Sequence, residues 1–233
     1  MPFRWLFEEG QKSEVCIDVM DYESWLKFVF DHPEPKKDQD RWYSLDGAEA
    51  FYFKDSLLFL QRLTRLMQAP ELLLSHYSID QVKQGFWCFI TAFELNDVLE
   101  DRHLDFEARR SCVHSFDPLY QKLFSRPGFE KLAFNYWDPL TYSFYSCQGR
   151  GLDADMTRVQ GLYFETLMRL LRHKSRASVL GAIRGLAQLQ HPQSQEAIRE
   201  RISQAPELSD EDRSYALACL RGQSDLNPPP RLD

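Results

Sequence analysis

Six carboxylates crowd a short stretch of this sequence, and their spacing suits either metal binding or protein binding. They are Glu94, Asp97, Glu100, Asp101, Asp105 and Glu107. Glu94, Asp97 and Asp101 follow one another at intervals of three and four residues, so a helix would gather their oxygens on one face. Such a face could bind Mg²⁺ or the lysines and arginines of a partner. A solvated helix end is the plainer interpretation, and it stays open here.

A second candidate surface is an aromatic stretch that begins at position 134. Its rings are Phe134, Tyr136, Trp137, Tyr142, Phe144 and Tyr145. A stacking platform for single-stranded nucleic acid would need a basic groove, but only Lys131 and Arg150 flank these rings. We therefore favour core packing for most of the stretch. Rings with a polar tip that reach the surface suit a protein interface, and we assign Tyr142 and Tyr145 to that role.

Two further constellations lack the partners that metal binding or catalysis would need. Cys112 and His114 are two residues apart, so a helix would point them to different sides, and no second Cys/His pair follows at zinc-finger spacing. Ser111, His114 and Asp117 could share a helix face, but the sequence has no Gly-x-Ser-x-Gly turn to expose a nucleophile. We expect no catalytic residue, no bound metal and no cofactor.

Composition and charge narrow the class of protein. The chain has 233 residues, 43% of them hydrophobic, and five scattered cysteines, which indicates a globular protein with reduced thiols. Residues 1–130 carry 15 basic and 23 acidic residues, whereas residues 131–233 carry 13 and 12. An acidic front half repels nucleic acid and anionic membranes and favours a basic partner. Because neither a signal peptide nor a membrane-spanning run is recognisable, we expect a cytoplasmic protein.

Helical periodicity dominates the segments that must position these residues. Ser78 with Gln81 forms a capping-box pattern that predicts a helix start, and apolar residues then recur at three-four spacing as far as Leu99. Similar patterns predict helices over 21–30, 46–67 and 105–124, and from 153 onward; Pro118 should kink or divide the helix over 105–124. Residues 14–20 form the one segment whose apolar residues alternate with other residues, as is typical of a β-strand. Since we identify no partner for it, we expect it to be irregular or a short edge piece.

The last third of the chain contains an internal repeat. Residues 176–185 align with residues 213–222 at a constant offset of 37. Both copies begin with arginine, continue with apolar and small residues at matching positions, and end in Arg-Gly. The block 175–222 resembles HEAT-type helical repeats, whose helices stack closely, and this resemblance implies an interaction scaffold. Two units are fewer than the roughly three that an independent solenoid needs, so the block must lean on the preceding helices. The run Gln84-Gly85-Phe86-Trp87, taken with the helix 176–187, also resembles a group of all-helical bacterial proteins of unassigned function.

Together these patterns predict an all-α fold of stacked antiparallel helices, similar to an α-solenoid, with HEAT-like repeats in its C-terminal part. We divide the chain into an acidic helical part (1–130), an aromatic junction (131–152), a HEAT-like part (153–222) and a flexible tail (223–233).

The leading functional hypothesis is a non-enzymatic protein-binding module. In its sharper form, it is a bacterial immunity protein that neutralises a basic toxin or effector domain. The residues assigned to partner binding are Glu94, Asp97, Glu100, Asp101, Tyr142 and Tyr145. Two alternatives stay open: a metal-dependent hydrolase that uses the carboxylates near 94–107 with His103 or His114, and a structural subunit of a larger assembly.

Overall fold

The computed structural model describes residues 15–34, 41–43, 51–147, 151–206, 208–222 and 231–232. Most of these residues are helical, and the helices pack against one another, so the predicted all-α class is confirmed. The solenoid-like stacking and the HEAT-like character of the last helices stay predictions. The predicted tail lies outside the described residues apart from 231–232.

The α-helices follow one another along the described chain as far as Leu220. They are α1 (Tyr22–Phe30), α2 (Ser56–Gln68), α3 (Ile79–Thr91), α4 (Leu95–Glu100), α5 (Phe106–His114), α6 (Phe116–Leu119), α7 (Glu130–Asn135), α8 (Trp137–Ser146), α9 (Ala154–Leu170), α10 (Arg176–Leu189), α11 (Ser194–Gln204) and α12 (Asp210–Leu220). Turns of 3-10 helix occupy Ile17–Val19 and Pro70–Ser75, and a turn of π-helix occupies Tyr120–Phe124. Two short strands, β1 (Val15–Cys16) and β2 (Phe51–Tyr52), pair in parallel.

Several helices begin where the sequence predicts, because a side chain accepts a hydrogen bond from a first-turn amide. Ser78 and Gln81 form the predicted capping box at the start of α3. Asp21 caps α1 and Asp153 caps α9 in the same way, with single acceptor oxygens. These boundaries follow from residues no more than three positions apart, which is why the sequence alone reveals them.

The predicted helix over 46–67 begins later than expected. Residues 44–50 lie outside the described residues, Phe51 and Tyr52 form β2, and α2 starts only at Ser56 with Asp55 as its cap. The expectation was wrong for 51–55 because Phe51 pairs with Val15, a contact between segments far apart in the chain that helical periodicity does not encode. The strand β2 is thus the partner that the sequence did not reveal for 14–20.

Two other predicted helices are interrupted. The helix expected to reach Leu99 ends at Thr91, and Glu94 adopts a left-handed backbone conformation with φ of 47° before α4 begins. The helix expected over 105–124 divides at Ser115 into α5 and α6. Pro118 then lies in the first turn of α6, where a residue without an amide hydrogen is tolerated.

Helix α10 lies at the centre of the C-terminal half. It contacts α7, α8, α9, α11 and α12, and ten of its 14 residues are buried. A Cβ atom on Gly181 would lie 2.7 Å from the carbonyl oxygen of Ala133, and one on Gly185 would lie 3.1 Å from Cβ of Trp137. Small residues therefore let α10 approach α7 and α8 closely. The two repeat copies begin in α10 and α12, which contact each other.

Buried apolar side chains from Ile17 to α12 form one cluster. Four rings of the aromatic stretch belong to it, and each is at most 3% exposed: Phe134, Tyr136, Trp137 and Phe144. Core packing is therefore confirmed for these four. The predicted junction folds over its described part as the remainder of α7 followed by α8, and both helices pack on α10.

Candidate functional site

The acidic residues predicted as a partner site lie on and around the short helix α4. Glu94 precedes the helix, Asp97 lies in its first turn, Glu100 is its last residue and Asp101 caps its C-terminal end. The expected single helix face was wrong because the left-handed conformation of Glu94 ends the run from α3. Burial, and in addition the charge of Asp97, raises the pKa of both Glu94 and Glu100. Asp97 therefore lies close enough to interact with both carboxyl groups.

Glu100 joins the acidic helix to the aromatic one. Its Oε1 atom accepts a hydrogen bond from the hydroxyl group of Ser143 on α8, and α4 packs against α8 at this point. Burial raises the pKa of Glu100 to about 7, although the hydrogen bond from Ser143 opposes the increase. The carboxyl group therefore gains and loses its proton close to neutral pH.

The outer face of α8 presents the two tyrosines assigned to partner binding. Tyr142 is 65% exposed and Tyr145 is 40% exposed, whereas Thr141 and Phe144 on the other side of the helix are buried. Tyr142 directly precedes Ser143, whose hydroxyl group binds Glu100. The structure thus places the two predicted residue sets on neighbouring helices. We call them together the acidic–aromatic patch: Glu94, Asp97, Glu100, Asp101, Tyr142 and Tyr145.

The carboxylates of the acidic–aromatic patch are weakly compensated within the described part of the chain. None of the four forms an ion pair with a described residue. Asp97 accepts a hydrogen bond from the side chain of Asn96 at 2.8 Å, and Asp101 accepts one from the amide of His103 at 2.9 Å. Both donors are uncharged. Asp97 is exposed, whereas Glu94, Glu100 and Asp101 are partly buried, and the adjacent Arg102 is an exposed basic residue.

Arg109 supports α4 from behind, and the sequence analysis missed it. Its side chain is 1% exposed, donates to both carboxylate oxygens of Asp155 at 2.7 and 2.8 Å, and also reaches the carbonyl oxygen of Leu99 at 3.4 Å. The guanidinium group therefore ties α5 to the end of α4 and to the start of α9. The sequence position of Arg109 could have indicated that it is buried, because it lies three and four residues before the buried Cys112 and Val113, on the apolar side of α5.

A groove of about 460 Å³ adjoins Tyr145, between α10, α11 and the end of α12. His191 lies in its lining and stacks on Phe164 with ring centroids 4.0 Å apart, and burial lowers the pKa of this imidazole. The hydroxyl group of Ser194, also in the lining, is buried without a hydrogen-bond partner among the described residues. The groove extends the surface available beside the exposed tyrosine.

The trio of Ser111, His114 and Asp117 does not assemble. His114 Nε2 lies 3.5 Å from a carboxylate oxygen of Glu165, and Asp117 instead contacts His173, with Oδ1 and Nε2 2.8 Å apart. Cys112 is fully buried, and burial raises the pKa of its thiol to about 12. His114 and Asp117 are thus held in separate pairs, Cys112 lies in the core and Ser111 is exposed. Their arrangement supplies no nucleophile with an adjacent base.

In the ranges that the structure describes, no three His, Cys, Asp or Glu side chains converge in a way that could hold a metal ion. The described helices include none that is both long enough and apolar enough to cross a membrane. Comparison with protein-family models, with curated proteins and with solved structures finds no significant match for this chain.

Proposed function

We propose that this chain is a protein-binding module and that its acidic–aromatic patch binds a basic partner protein. The observation that carries the proposal is the adjacency of two exposed tyrosines, Tyr142 and Tyr145, to carboxylates without ion-pair partners among the described residues. Tyrosine offers a large apolar ring with a polar tip, and interfaces are enriched in it. Uncompensated carboxylates attract lysine and arginine and speed the encounter with a basic surface.

In the sharper form of this proposal, the partner is a toxin or effector domain and the chain is an immunity-type protein of bacteria that occupies and neutralises it. The acidic charge of residues 1–130 supports a basic partner, and the HEAT-like repeat that we infer over 175–222 supports a scaffold for binding. Neutralisation requires only that the complex cover the active surface of the toxin. It needs no catalytic group on this chain.

Glu100 gives the proposed interaction a pH dependence. Because its pKa is about 7, the group is largely protonated in mildly acidic solution and carries a full negative charge only in mildly basic solution. A lysine or arginine of the partner would bind the ionised form. We therefore expect affinity for a basic partner to rise between about pH 6 and about pH 8, and Glu100→Gln to remove most of this rise. Isothermal titration calorimetry at both pH values measures the effect.

Affinity capture with matched variants tests the proposal. The chain is used as bait in an extract of its host, with Asp97→Lys and Tyr142→Ala as test baits. Glu23→Lys is the control for Asp97→Lys, because both acids are exposed, lie in the first turn of a helix and undergo the same charge change. Leu72→Ala is the control for Tyr142→Ala, since the exposed fractions of 63% and 65% are nearly equal.

The expected result is a basic protein that both control baits retain and both test baits lose. Calorimetry with the purified partner should show affinity at least about tenfold weaker for Tyr142→Ala, the usual size of an aromatic hot spot. Capture of the same protein by all four baits would remove the acidic–aromatic patch from the proposal. For the immunity form, expression of the captured protein should be toxic alone and harmless together with this chain; harmless expression alone would refute it.

A further inference from the structure

A strongly basic cavity lies at the junction of α9, α10 and α11, away from the acidic–aromatic patch. Its volume is about 600 Å³, within the range of small-molecule sites. Its polar lining is entirely basic: Arg172, His173, Lys174, Arg176 and Arg201. The described lining contains no carboxylate and is completed by Val179 and Leu208.

Two of the lining groups are held in place by acidic residues behind them. His173 contacts Asp117 at 2.8 Å, and the guanidinium group of Arg176 donates to both oxygens of Asp212 at 2.7 to 3.0 Å. Asp212 is 1% exposed, so it orients Arg176 from the protein interior. These pairs fix the wall of the cavity before any ligand arrives, which reduces the ordering that binding would require.

Arg172 and Lys174 supply the uncompensated charge. Both side chains are exposed, and neither forms an ion pair with a described residue. They follow α9 directly, so their charge also suits the negative end of that helix. Arg176 in α10 and Arg201 in α11 line the same cavity, so basic side chains from two helices and from the turn after α9 meet there.

We propose that this cavity binds a compact anion that carries phosphate groups. Arginine presents paired N–H donors that match phosphate oxygens, and lysine adds a mobile point charge. Arg176, the first residue of α10, also lines the cavity, but Asp212 and Glu211 already contact its guanidinium group, so Arg172 and Lys174 are the main donors for a ligand. The described lining has no aromatic ring for a nucleobase to stack on, so the fit favours the phosphates themselves over a nucleotide base.

The same phosphate chemistry occurs in free metabolites and in lipid headgroups, so the test uses one probe of each kind. Calorimetry with sodium pyrophosphate measures binding of a soluble ligand, and co-sedimentation with phosphatidylcholine vesicles containing phosphatidic acid measures binding to a headgroup. The test variant is Arg172→Gln with Lys174→Gln. The control variant is Lys131→Gln with Arg199→Gln, which removes the same charge from exposed positions outside the cavity lining.

We expect saturable binding of at least one probe, weakened roughly tenfold or more in the test variant and unchanged in the control, because two charge-assisted contacts are lost. Added salt should weaken the binding further, since both cations are exposed. Pyrophosphate binding would assign the site to a free ligand, and vesicle binding alone would assign it to a headgroup. Absence of saturable binding to either probe, or equal loss in both variants, would overturn the proposal.

Discussion

Replacing Glu100 by glutamine tests the central contact of the acidic–aromatic patch. Glutamine keeps the shape of the side chain and the oxygen that accepts the hydrogen bond from Ser143, but it cannot ionise. The substitution therefore isolates the free energy of holding a charge at this partly buried position. Any difference between the two proteins that varies with pH then belongs to that single carboxyl group.

The expected difference in unfolding free energy follows from the pKa of Glu100, which burial raises from 4.5 to about 7. This change corresponds to roughly 3 kcal/mol of unfolding free energy as an upper value. The folded state binds the proton more tightly than the unfolded state does, so the group lowers stability progressively as the pH rises from about 4.5 to about 7. Glu100→Gln should therefore match the parent protein near pH 4.5 and exceed its stability by about 2–3 kcal/mol near pH 8.

Urea denaturation at several pH values measures this difference. The fully buried Trp25 and Trp137 provide a fluorescence signal for unfolding. Glu23→Gln serves as the control, because Glu23 is exposed in the first turn of α1. Parallel stability curves for the parent and Glu100→Gln across this pH range would refute the burial of Glu100. A variant that becomes less stable than the parent as the pH rises would show that the ionised carboxylate is favoured in the fold.

Three further substitutions test the packing that supports the site. Gly181→Ala should cost about 1–3 kcal/mol, because the added Cβ would lie 2.7 Å from a backbone oxygen of α7. Gly161 lies in the interior of α9, and a Cβ atom added there would have nothing within 4 Å, so Gly161→Ala should instead stabilise the protein by up to about 1 kcal/mol. Thermal unfolding compares the two variants. A stabilised Gly181→Ala would contradict the close approach of α10. Asp155→Asn should cost about 3 kcal/mol, because the buried guanidinium group of Arg109 loses its carboxylate. The hydrogen bond from Arg109 lowers the pKa of Asp155, so the stability lost in Asp155→Asn should persist at neutral pH and shrink as the pH falls below 3.8. Denaturation at neutral and acidic pH measures this stability difference. An equal difference at every pH would exclude the ion pair as its cause.

Some features of the fold could be read from short stretches of sequence. The starts of α1, α3 and α9 depend on a side-chain oxygen and an amide within the same turn, so Asp21, Ser78 and Asp153 predict them without knowledge of the rest of the chain. The all-α class follows in the same way from three-four apolar spacing. Apolar spacing does not show where a helix must stop for tertiary reasons, and the break at Glu94 was missed.

The candidate site was likewise only partly predictable from the sequence. The sequence identified acidic and tyrosine residues with the right chemistry, but it placed them 40 or more positions apart with no reason to meet. Their adjacency arises from the packing of α4 against α8 and from one hydrogen bond between Ser143 and Glu100. The burial that raises the pKa of Glu100 is likewise a property of the packed helices.

What the sequence determined by itself is the local geometry: which residues form helices, where several of them begin, and the acidic charge of the first 130 residues. Tertiary structure alone decided that Phe51 pairs with Val15, that Arg109 binds Asp155 in the interior, and that basic residues of α10, α11 and the turn after α9 line one cavity. The physical reason is distance along the chain. Capping and periodicity act over a few residues, whereas these contacts join segments at least 25 residues apart and form only when the core brings them together.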